Sequence, residues 1–382
     1  MFNKPFDLFL GDCLDVLKNF DDSCVDSIVT DPPYGIRFMD KKWDYDVPGI
    51  DTWKECLRVL KPGGFLLSFG STRTYHRLIV NIEDAGFEIM DQLQWIFGSG
   101  FPKSKYSLKP ANEPICLSRK RYVGSIDNNI ESYSTGGLNI DSCRILIEDY
   151  IGSRETKNNY IGIGTFMEKA GRIYEQNENG RWPSNVILSH HHECEFLGYK
   201  KVKNKSGSLS GFEPSVPAKN VYSKFNNRGS FVKYGDNEGF EKIEDWRCVD
   251  QCPVKLMHNK SRFFYCTKAQ KKDRDDGLVS KCQFKHGMLL RDLRSDDFVG
   301  NIHPTVKPTD LMRYLCRLIT PKEGTIMDPF MGSGSTGRGA ILEGFDFVGI
   351  ENQERFFEIS KIRIDAVMRK RQMGLFDNID RC

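Results

Sequence analysis

Thr325-Ile326-Met327-Asp328-Pro329-Phe330-Met331-Gly332-Ser333-Gly334-Ser335-Thr336-Gly337 is the stretch that decides the fold. Thr325 to Asp328 has strand character and runs into a glycine loop. A helix follows to Glu343, and Phe345 to Glu351 returns as a strand. That succession is the repeating unit of a parallel α/β layer. Glycines let backbone N–H groups approach a ligand, and a helix N-terminus adds positive potential. The loop is not a Walker loop, because no Gly-Lys-Ser/Thr follows. Glu351 closes the next strand 23 residues beyond Asp328, near the position from which an acid grips ribose hydroxyls. Alone, the loop reads equally well as an ordinary strand–helix turn. Glu351 in register favours a nucleoside cofactor.

Working outward, Asp310 to Ile319 reads as a helix before this unit, and Glu354 to Arg369 as a basic amphipathic helix after it. The same alternation occupies the other end of the chain. Ser27 to Thr30 is a short strand. Thr52 to Leu60 is a helix with a Thr52/Glu55 capping box and a buried face of Trp53, Leu57 and Leu60. Pro62-Gly63-Gly64 ends it. Phe65 to Phe69 is a buried strand, Tyr75 to Ala85 a helix stopped by Gly86, and Phe87 to Phe97 a strand. Periodicity weakens after about Arg121, and residues 122–295 are rich in Gly, Ser and Asn. One α/β domain built from both ends of the chain, with a large central insertion, accounts for this.

Asp31-Pro32-Pro33-Tyr34 follows the first of these strands. Two prolines cannot continue a sheet ladder, so the strand stops there. The tetrad therefore sits at the carboxyl end of a strand, where open α/β sheets place ligands. A carboxylate, a carbonyl without a local donor and an aromatic face converge. They form a receptor for a planar base bearing an exocyclic amine. The plainer alternative is a rigid turn whose tyrosine fills the core.

The chain has 382 residues, enough for two domains or one with an insertion. Its 39% apolar and 28% charged residues exclude a disordered tail and a membrane protein. No apolar run approaches the roughly 18 residues that span a bilayer. Asp7 and Asp12 flank a short apolar stretch that fits no secretory signal, so a cytoplasmic protein is expected. Twelve scattered cysteines read as reduced thiols. A net charge of +3 identifies no polyanion partner by itself.

These motifs resemble the amino-methylating DNA methyltransferases, which modify adenine-N6 or cytosine-N4. Asp31-Pro32-Pro33-Tyr34 matches their catalytic motif, and Phe330-Met331-Gly332-Ser333-Gly334 their S-adenosylmethionine loop. His303-Pro304-Thr305-Val306-Lys307-Pro308 matches the motif just upstream of that loop. The catalytic motif comes first and the cofactor loop last, the order of the family's beta group. The likeness covers about Asp7 to Arg121 and Phe263 to Met368. Leu108-Lys109-Pro110-Ala111, Arg181-Trp182-Pro183-Ser184-Asn185 and Arg262-Phe263-Phe264-Tyr265 resemble longer phage and bacterial members.

The resemblance implies a Rossmann-like S-adenosylmethionine-dependent methyltransferase fold, circularly permuted. Residues 1–121 and 296–382 would form the catalytic domain and 122–295 an inserted target-recognition region. It implies catalytic roles for Asp31, Pro32, Pro33 and Tyr34. Asp12 and Cys13 would lie near the adenine of the cofactor, and Glu351 would hold its ribose. Lys307, Pro308 and Thr309 would lie near its methionine end. Asp328, Phe330, Gly332, Ser333 and Gly334 would form its loop, and Trp95 to Ser99 would sit beside the target base. The implied partner is double-stranded DNA, whose base is flipped onto Tyr34. No membrane partner is expected, and the protein would be a monomer or homodimer. Methyl transfer would be direct, with no metal and no covalent intermediate. Cys252-Pro253 has the reverse order of the Pro-Cys nucleophile of carbon-5 cytosine methylation.

Aspartate at position 31 favours adenine, because cytosine-N4 members more often carry Ser there. A protein-glutamine methyltransferase would more typically carry Asn. A non-catalytic DNA-binding relative is the rival from another class, and Asp31, Tyr34 and the complete glycine loop argue against it.

Two features lie in the middle of the chain. Lys200 to Tyr234 holds eight Lys or Arg and one acid, Glu213, a local charge of +7. Phe212, Tyr222, Phe225, Phe231 and Tyr234 are interleaved with them, a composition suited to phosphate contacts and stacking or simply to a solvated loop. Lys268, Lys271, Lys272 and Arg274 form a second basic run with the same two readings. His191, Cys194, Cys248 and Cys252 have spacings that can close a structural zinc site, with His190 or His192 as replacements for His191. Unpaired buried thiols beside a surface histidine run are the alternative.

Overall fold

The structure is a computed structural model. It describes residues 2, 5–37, 42–98, 100, 105–145, 181–203, 240–258, 261, 264–267, 272–275, 278, 301, 303 and 305–372. Its strands are β1 (Phe6–Leu10), β2 (Val25–Thr30), β3 (Leu60–Phe69), β4 (Glu88–Ile96), β5 (Asn112–Arg119), β6 (Val186–Ser189), β7 (Glu195–Lys203), β8 (Phe240–Arg247), β9 (Tyr265–Thr267), β10 (Thr325–Asp328) and β11 (Asp346–Glu351). Its α-helices are α1 (Cys13–Leu17), α2 (Ile50–Val59), α3 (Tyr75–Asp84), α4 (Ile126–Tyr133), α5 (Pro253–Met257), α6 (Lys272–Asp275), α7 (Thr309–Ile319), α8 (Ser335–Glu343) and α9 (Glu354–Gln372).

Among the described residues, nine strands form one sheet in the order β1-β11-β10-β2-β3-β5-β4-β6-β9. Pairing is parallel except at β5, which runs antiparallel to both β3 and β4. β2 is buried along its whole length, as expected for a strand covered on both faces. Side chains alternate between two cores. Leu67 and Phe69 of β3 pack with Leu311, Leu315 and Ile341, while Leu66 joins Trp53, Leu78 and Val348 on the other face.

The two ends of the chain meet inside this sheet. From β10 the order runs outward through β11 to β1, and from β2 it runs the other way through β3. The β10–β2 seam is therefore the point where the strand order reverses, and open α/β sheets bind ligands outside the carboxyl ends of strands at that point. Ile326 pairs with Ser27 and Met327 with Ile28, and Asp328 bonds Thr30, so the two motifs leave adjacent strand ends.

The chain divides into two compact units. One comprises Met1–Cys143, Pro183–Cys194 and Cys248–Cys382, and the other Arg144–Trp182 and Glu195–Arg247. The first contains the nine-stranded sheet. In the second, β7 and β8 form an antiparallel pair, and Ile145 bridges Arg181. The segment 122–295 is thus not one insertion. Residues 122–143, β6 and β9 belong with the catalytic-type sheet. Among the described residues, no helix is long and apolar enough to cross a membrane.

Some local expectations differ from the observed elements. α2 starts at Ile50 behind Gly49, which makes no side-chain cap bond. The Thr52/Glu55 capping box does not form, because Glu55 accepts from Arg58 instead, at 2.8 Å. The buried face of α2 is Trp53, Cys56 and Val59. Leu60 already belongs to β3, which carries Pro62-Gly63-Gly64 within its length. The β2–β3 register shifts between Val25 and Ser27, and that irregularity accommodates the proline and glycines.

α4 is tied to β3 by Asn129, which is 5% exposed. Its amide nitrogen donates to the carbonyls of Pro62, at 3.0 Å, and Thr135, at 2.7 Å. Asn129→Ala would remove this donor from the Thr135 carbonyl and leave the Pro62 carbonyl with the Thr135 hydroxyl, at a cost of about 1–3 kcal/mol. Urea unfolding of the full chain should show that loss. Unchanged stability would contradict the assignment of α4 to the sheet-bearing unit.

Candidate active site

A cleft of about 1410 Å³ opens at the strand-order reversal. Both sequence motifs line it: Asp31 to Tyr34 from the end of β2, and Asp328 to Ser333 from the end of β10.

The glycine loop is held by acids on its own strands. Gly332 adopts φ +55° and Gly334 φ +78°, left-handed conformations that favour glycine. A Cβ on Gly332 would lie 2.8 Å from His303 Nε2. The Gly332 amide donates to Glu351 Oε2 at 2.8 Å, and the Gln353 amide to Oε1 at 2.8 Å. Burial raises the Glu351 carboxyl above its ordinary pKa, against these two donors and the Asn352 amide. With three amide donors on its two oxygens, the carboxylate keeps an acceptor direction for a ligand hydroxyl.

Asp328 turns inward. It accepts from Thr30 Oγ1 at 2.7 Å, the Phe330 amide at 3.1 Å and Thr336 Oγ1 at 2.6 Å. Burial pushes its carboxyl up to about 7. Its observed partners make it a brace for the loop. Ser333 is likewise anchored, receiving Arg363 Nη1 on its carbonyl and, at 2.9 Å, on its hydroxyl.

The other wall carries a compact charged cluster. Tyr34 Oη donates to Asp31 Oδ1 at 2.6 Å and lies 3.1 Å from Glu113 Oε2. Lys307 Nζ lies 2.7 Å from Asp31 Oδ2, 3.2 Å from Glu113 Oε2 and 3.1 Å from Tyr34 Oη. Burial and the two carboxylates push the Tyr34 hydroxyl well above its usual pKa, so it keeps its proton. Burial raises the Glu113 carboxyl, with Lys307 opposing. Lys307 is raised overall: desolvation acts to lower it, and Asp31 and Glu113 outweigh that. The Tyr34 and Gly35 amides donate to buried Asp44 at 2.6 and 3.0 Å, which fixes the turn after the prolines.

The expected residues divide accordingly. Asp12, Cys13, Asp31, Pro32, Pro33, Tyr34, Lys307, Asp328, Phe330, Gly332, Ser333 and Glu351 line the cleft. Asp12 also caps α1 through the Leu14 amide, at 2.9 Å. The Cys13 thiol is pushed up to about 12, chiefly by burial, and stays protonated. Pro308 and Thr309 are buried at the start of α7 and do not line the cleft, and neither does Gly334. Lys307, expected near a methionine group, sits among the catalytic-motif side chains. Trp95 packs against Phe69 in the core, whereas Phe97 reaches the cleft; Ser99 lies outside the described residues.

Sequence reasoning missed Glu113 and gave His303 no role of its own. Glu113 arrives on antiparallel β5, where no motif marks it. His303 is pushed down to about 4, mainly by burial, and is therefore neutral near pH 7.

Of the four residues expected to bind metal, Cys194, Cys248 and Cys252 come together, but with His190 and not His191. His191 groups with His192 and Glu193. His190 is the first residue beyond β6, and its amide still bonds the Thr267 carbonyl, at 3.1 Å. This continued pairing turns His190 inward, where it is 4% exposed. Of the basic run from Lys200, residues 200–203 lie on β7; Phe212, Tyr222, Phe225, Phe231 and Tyr234 lie outside the described residues, as do Lys268 and Lys271.

A sequence model described as DNA methylase matches residues 25–362. The chain belongs to that family. It is 43% identical over 65 residues to the type II methyltransferase M2.MboI of Moraxella bovis, a match covering 17% of this chain and 24% of that protein. It is 26% identical over 144 residues to the type II methyltransferase M2.LlaDCHI of Lactococcus lactis subsp. cremoris, covering 34% of this chain and 53% of the relative. These matches span a quarter to about half of those proteins. Among solved structures, the PvuII DNA methyltransferase (cytosine-N4-specific) aligns with 98% of this chain and 94% of its own, at 13% identity and a TM-score of 0.48.

The Asp328 carboxyl yields a pH prediction. An unfolded aspartate loses its proton near pH 3.9, whereas the folded chain holds it up to about 7. The native state thus binds more protons between those values, and stability falls as pH rises through the window. Asp328→Asn removes the titrating group while keeping an oxygen acceptor for Thr30 and Phe330 and donating to a turned Thr336 hydroxyl, so its unfolding midpoint should decline less between about pH 5 and pH 8. Identical pH profiles for the two proteins would contradict the reading.

Proposed function

We propose that the chain transfers a methyl group from S-adenosyl-L-methionine to the N6 amine of adenine in double-stranded DNA. The observation that carries this reading is the Asp31 carboxylate at the cleft, held by Tyr34 and Lys307. The residues present suit the cofactor. Glu351 offers acceptors for ribose hydroxyls, Gly332 keeps the wall free of side chain, and acidic groups line a cleft that would take a cationic ligand. When bound, that cofactor supplies an electrophilic methyl on a sulfonium.

The chain's own residues prepare the acceptor. An exocyclic adenine nitrogen is a poor nucleophile because its lone pair is delocalised into the ring. A hydrogen bond from the amine to Asp31 localises that pair and favours the positive charge that develops on nitrogen. Lys307 contacts Asp31 at 2.7 Å and the protonated Tyr34 hydroxyl donates to it, so the carboxylate stays oriented as an acceptor. Each Asp31 oxygen has a second acceptor direction available for the amine. The prolines and Asp44 hold the turn rigid, which fixes the acceptor geometry before the base arrives. A base flipped out of the duplex would meet Tyr34 and Phe97 at this wall.

We assign target recognition and phosphate contacts to the second unit, Arg144–Trp182 and Glu195–Arg247, including the basic run from Lys200. Asp31 in place of serine supports adenine over cytosine-N4.

The test is nucleoside analysis of DNA incubated with the chain and the labelled cofactor. N6-methyladenine is expected, and N4-methylcytosine or no methylated base would overturn the reading. Asp31→Ala should lower the rate about a hundredfold or more and leave calorimetric cofactor affinity nearly unchanged. Asp31→Ser, which imitates the cytosine-N4 motif, should also be nearly inactive on adenine. A fully active Asp31→Ala would remove the proposed role of the carboxylate.

A further inference from the structure

We propose that His190, Cys194, Cys248 and Cys252 form a structural zinc site that clasps the base of the chain excursion Glu195–Arg247. The inference is independent of the chemistry in the cleft.

The four potential ligand atoms lie within 4.8 Å of one another. His190 Nδ1 is 3.5 Å from Cys248 Sγ and 3.7 Å from Cys252 Sγ. Tetrahedral zinc with bonds of about 2.3 Å to sulfur and 2.0–2.1 Å to nitrogen puts those ligand atoms about 3.6 Å apart. The side chains already stand at ligand separations. None of the three cysteines is in a disulfide.

The backbone around them is built twice over. His190 and Cys194 are separated by three residues, and so are Cys248 and Cys252. Each pair is closed by the same turn bond: the Cys194 amide donates to the His191 carbonyl at 2.9 Å, and the Cys252 amide to the Val249 carbonyl at 3.1 Å. The two turns also meet: His190 Nδ1 from the first lies within 3.5–3.7 Å of Cys248 Sγ and Cys252 Sγ from the second. Ordinary core cysteines, such as Cys56 and Cys316 in the hydrophobic clusters, have no such grouping.

Four protein ligands close the coordination shell, which defines a structural rather than a catalytic zinc. Soft sulfur and imidazole donors in a tetrahedral set favour zinc over magnesium or calcium. The position states the role. Cys194 is the last residue before β7 and Cys248 the first after β8, and Glu195 pairs with Arg247 across the ladder. A metal here locks the two points where the chain leaves and re-enters the sheet-bearing unit.

The test is elemental analysis of the untagged full chain, followed by cobalt(II) replacement. About one zinc per chain is expected, and cobalt should give the strong visible bands and sulfur charge-transfer absorption of a tetrahedral thiolate site. His190→Ala and Cys248→Ser should lose that spectrum, and His191→Ala should keep it. Chelator stripping should lower the thermal midpoint, and zinc should restore it. Should His190→Ala fail to fold, the wild-type cobalt spectrum and the His191→Ala protein still decide. Less than about half an equivalent of zinc in the native protein, a cobalt spectrum without sulfur charge transfer, or loss of metal in folded His191→Ala would overturn the proposal.

Discussion

The pairing of β2 with β10 is the constraint on which the site depends. It joins residue 27 to residue 326 and residue 28 to residue 327, so two motifs nearly three hundred residues apart end at the same edge of the sheet. A buried hydrogen bond from Thr30 to Asp328, 2.7 Å long, fastens that edge. Thr30 is the last residue before the Asp31 tetrad, and Asp328 the last before the glycine loop. A shift of one residue in this pairing would send alternate side chains to the wrong face and separate the carboxylate wall from the cofactor-type loop. The loop is braced by the same aspartate through Phe330 and Thr336. Asp328 therefore sets the register of both walls at once, which explains why a carboxylate raised by burial is retained there.

The charged cluster follows a similar economy. Asp31 and Glu113 approach one another in a buried site, where two bare carboxylates would repel. Lys307 Nζ lies between them, 2.7 and 3.2 Å away, and Tyr34 contributes a hydroxyl that stays protonated. The result is a carboxylate whose charge is balanced and whose direction is fixed by two donors. For the proposed transfer, preorganisation of this kind would place the electrostatic work before the reaction, in the folding of the chain.

The parts of this arrangement carried by local chemistry were legible in the sequence. Asp31 to Tyr34 and Asp328 to Gly334 are contiguous motifs, and Glu351 stands at a spacing set by one helix and one strand. The remainder depends on pairings that no local pattern encodes. Glu113 reaches the cluster because β5 inserts antiparallel between β3 and β4, and Pro114 beside it reads as a strand breaker. Pro62-Gly63-Gly64 reads as a helix end yet lies in β3, because the register shift opposite it relieves the ladder. Lys307 was legible as a motif residue, but its partners were not, since they come from β5 and from the turn after β2. The histidine choice failed for a related reason. Three adjacent histidines look equivalent in sequence, and a single β6–β9 backbone bond at His190 selects which one turns inward.

The edge of the sheet shows why a clasp is useful where it stands. β6 and β9 are parallel neighbours, and parallel neighbours require a long crossover. Here that crossover contains the β7–β8 pair. Among the described residues, β9 runs from Tyr265 to Thr267, and its ladder with β6 joins Ile187, Leu188 and Ser189 to Tyr265, Cys266 and Thr267. Two side-chain contacts reinforce it: Thr267 donates to Ser189 at 2.9 Å, and Tyr265 stacks on Tyr314 with ring centroids 4.0 Å apart. The His190 amide completes the pairing to Thr267, and its ring turns toward Cys248 and Cys252. One residue thus links the end of the sheet ladder to the sulfur cluster. Fixing Cys194 beside Cys248 shortens the effective loop between β6 and β9, and closing a shorter loop costs less conformational entropy. Holding those two residues together thus supports the β6–β9 pairing at both ends of the excursion.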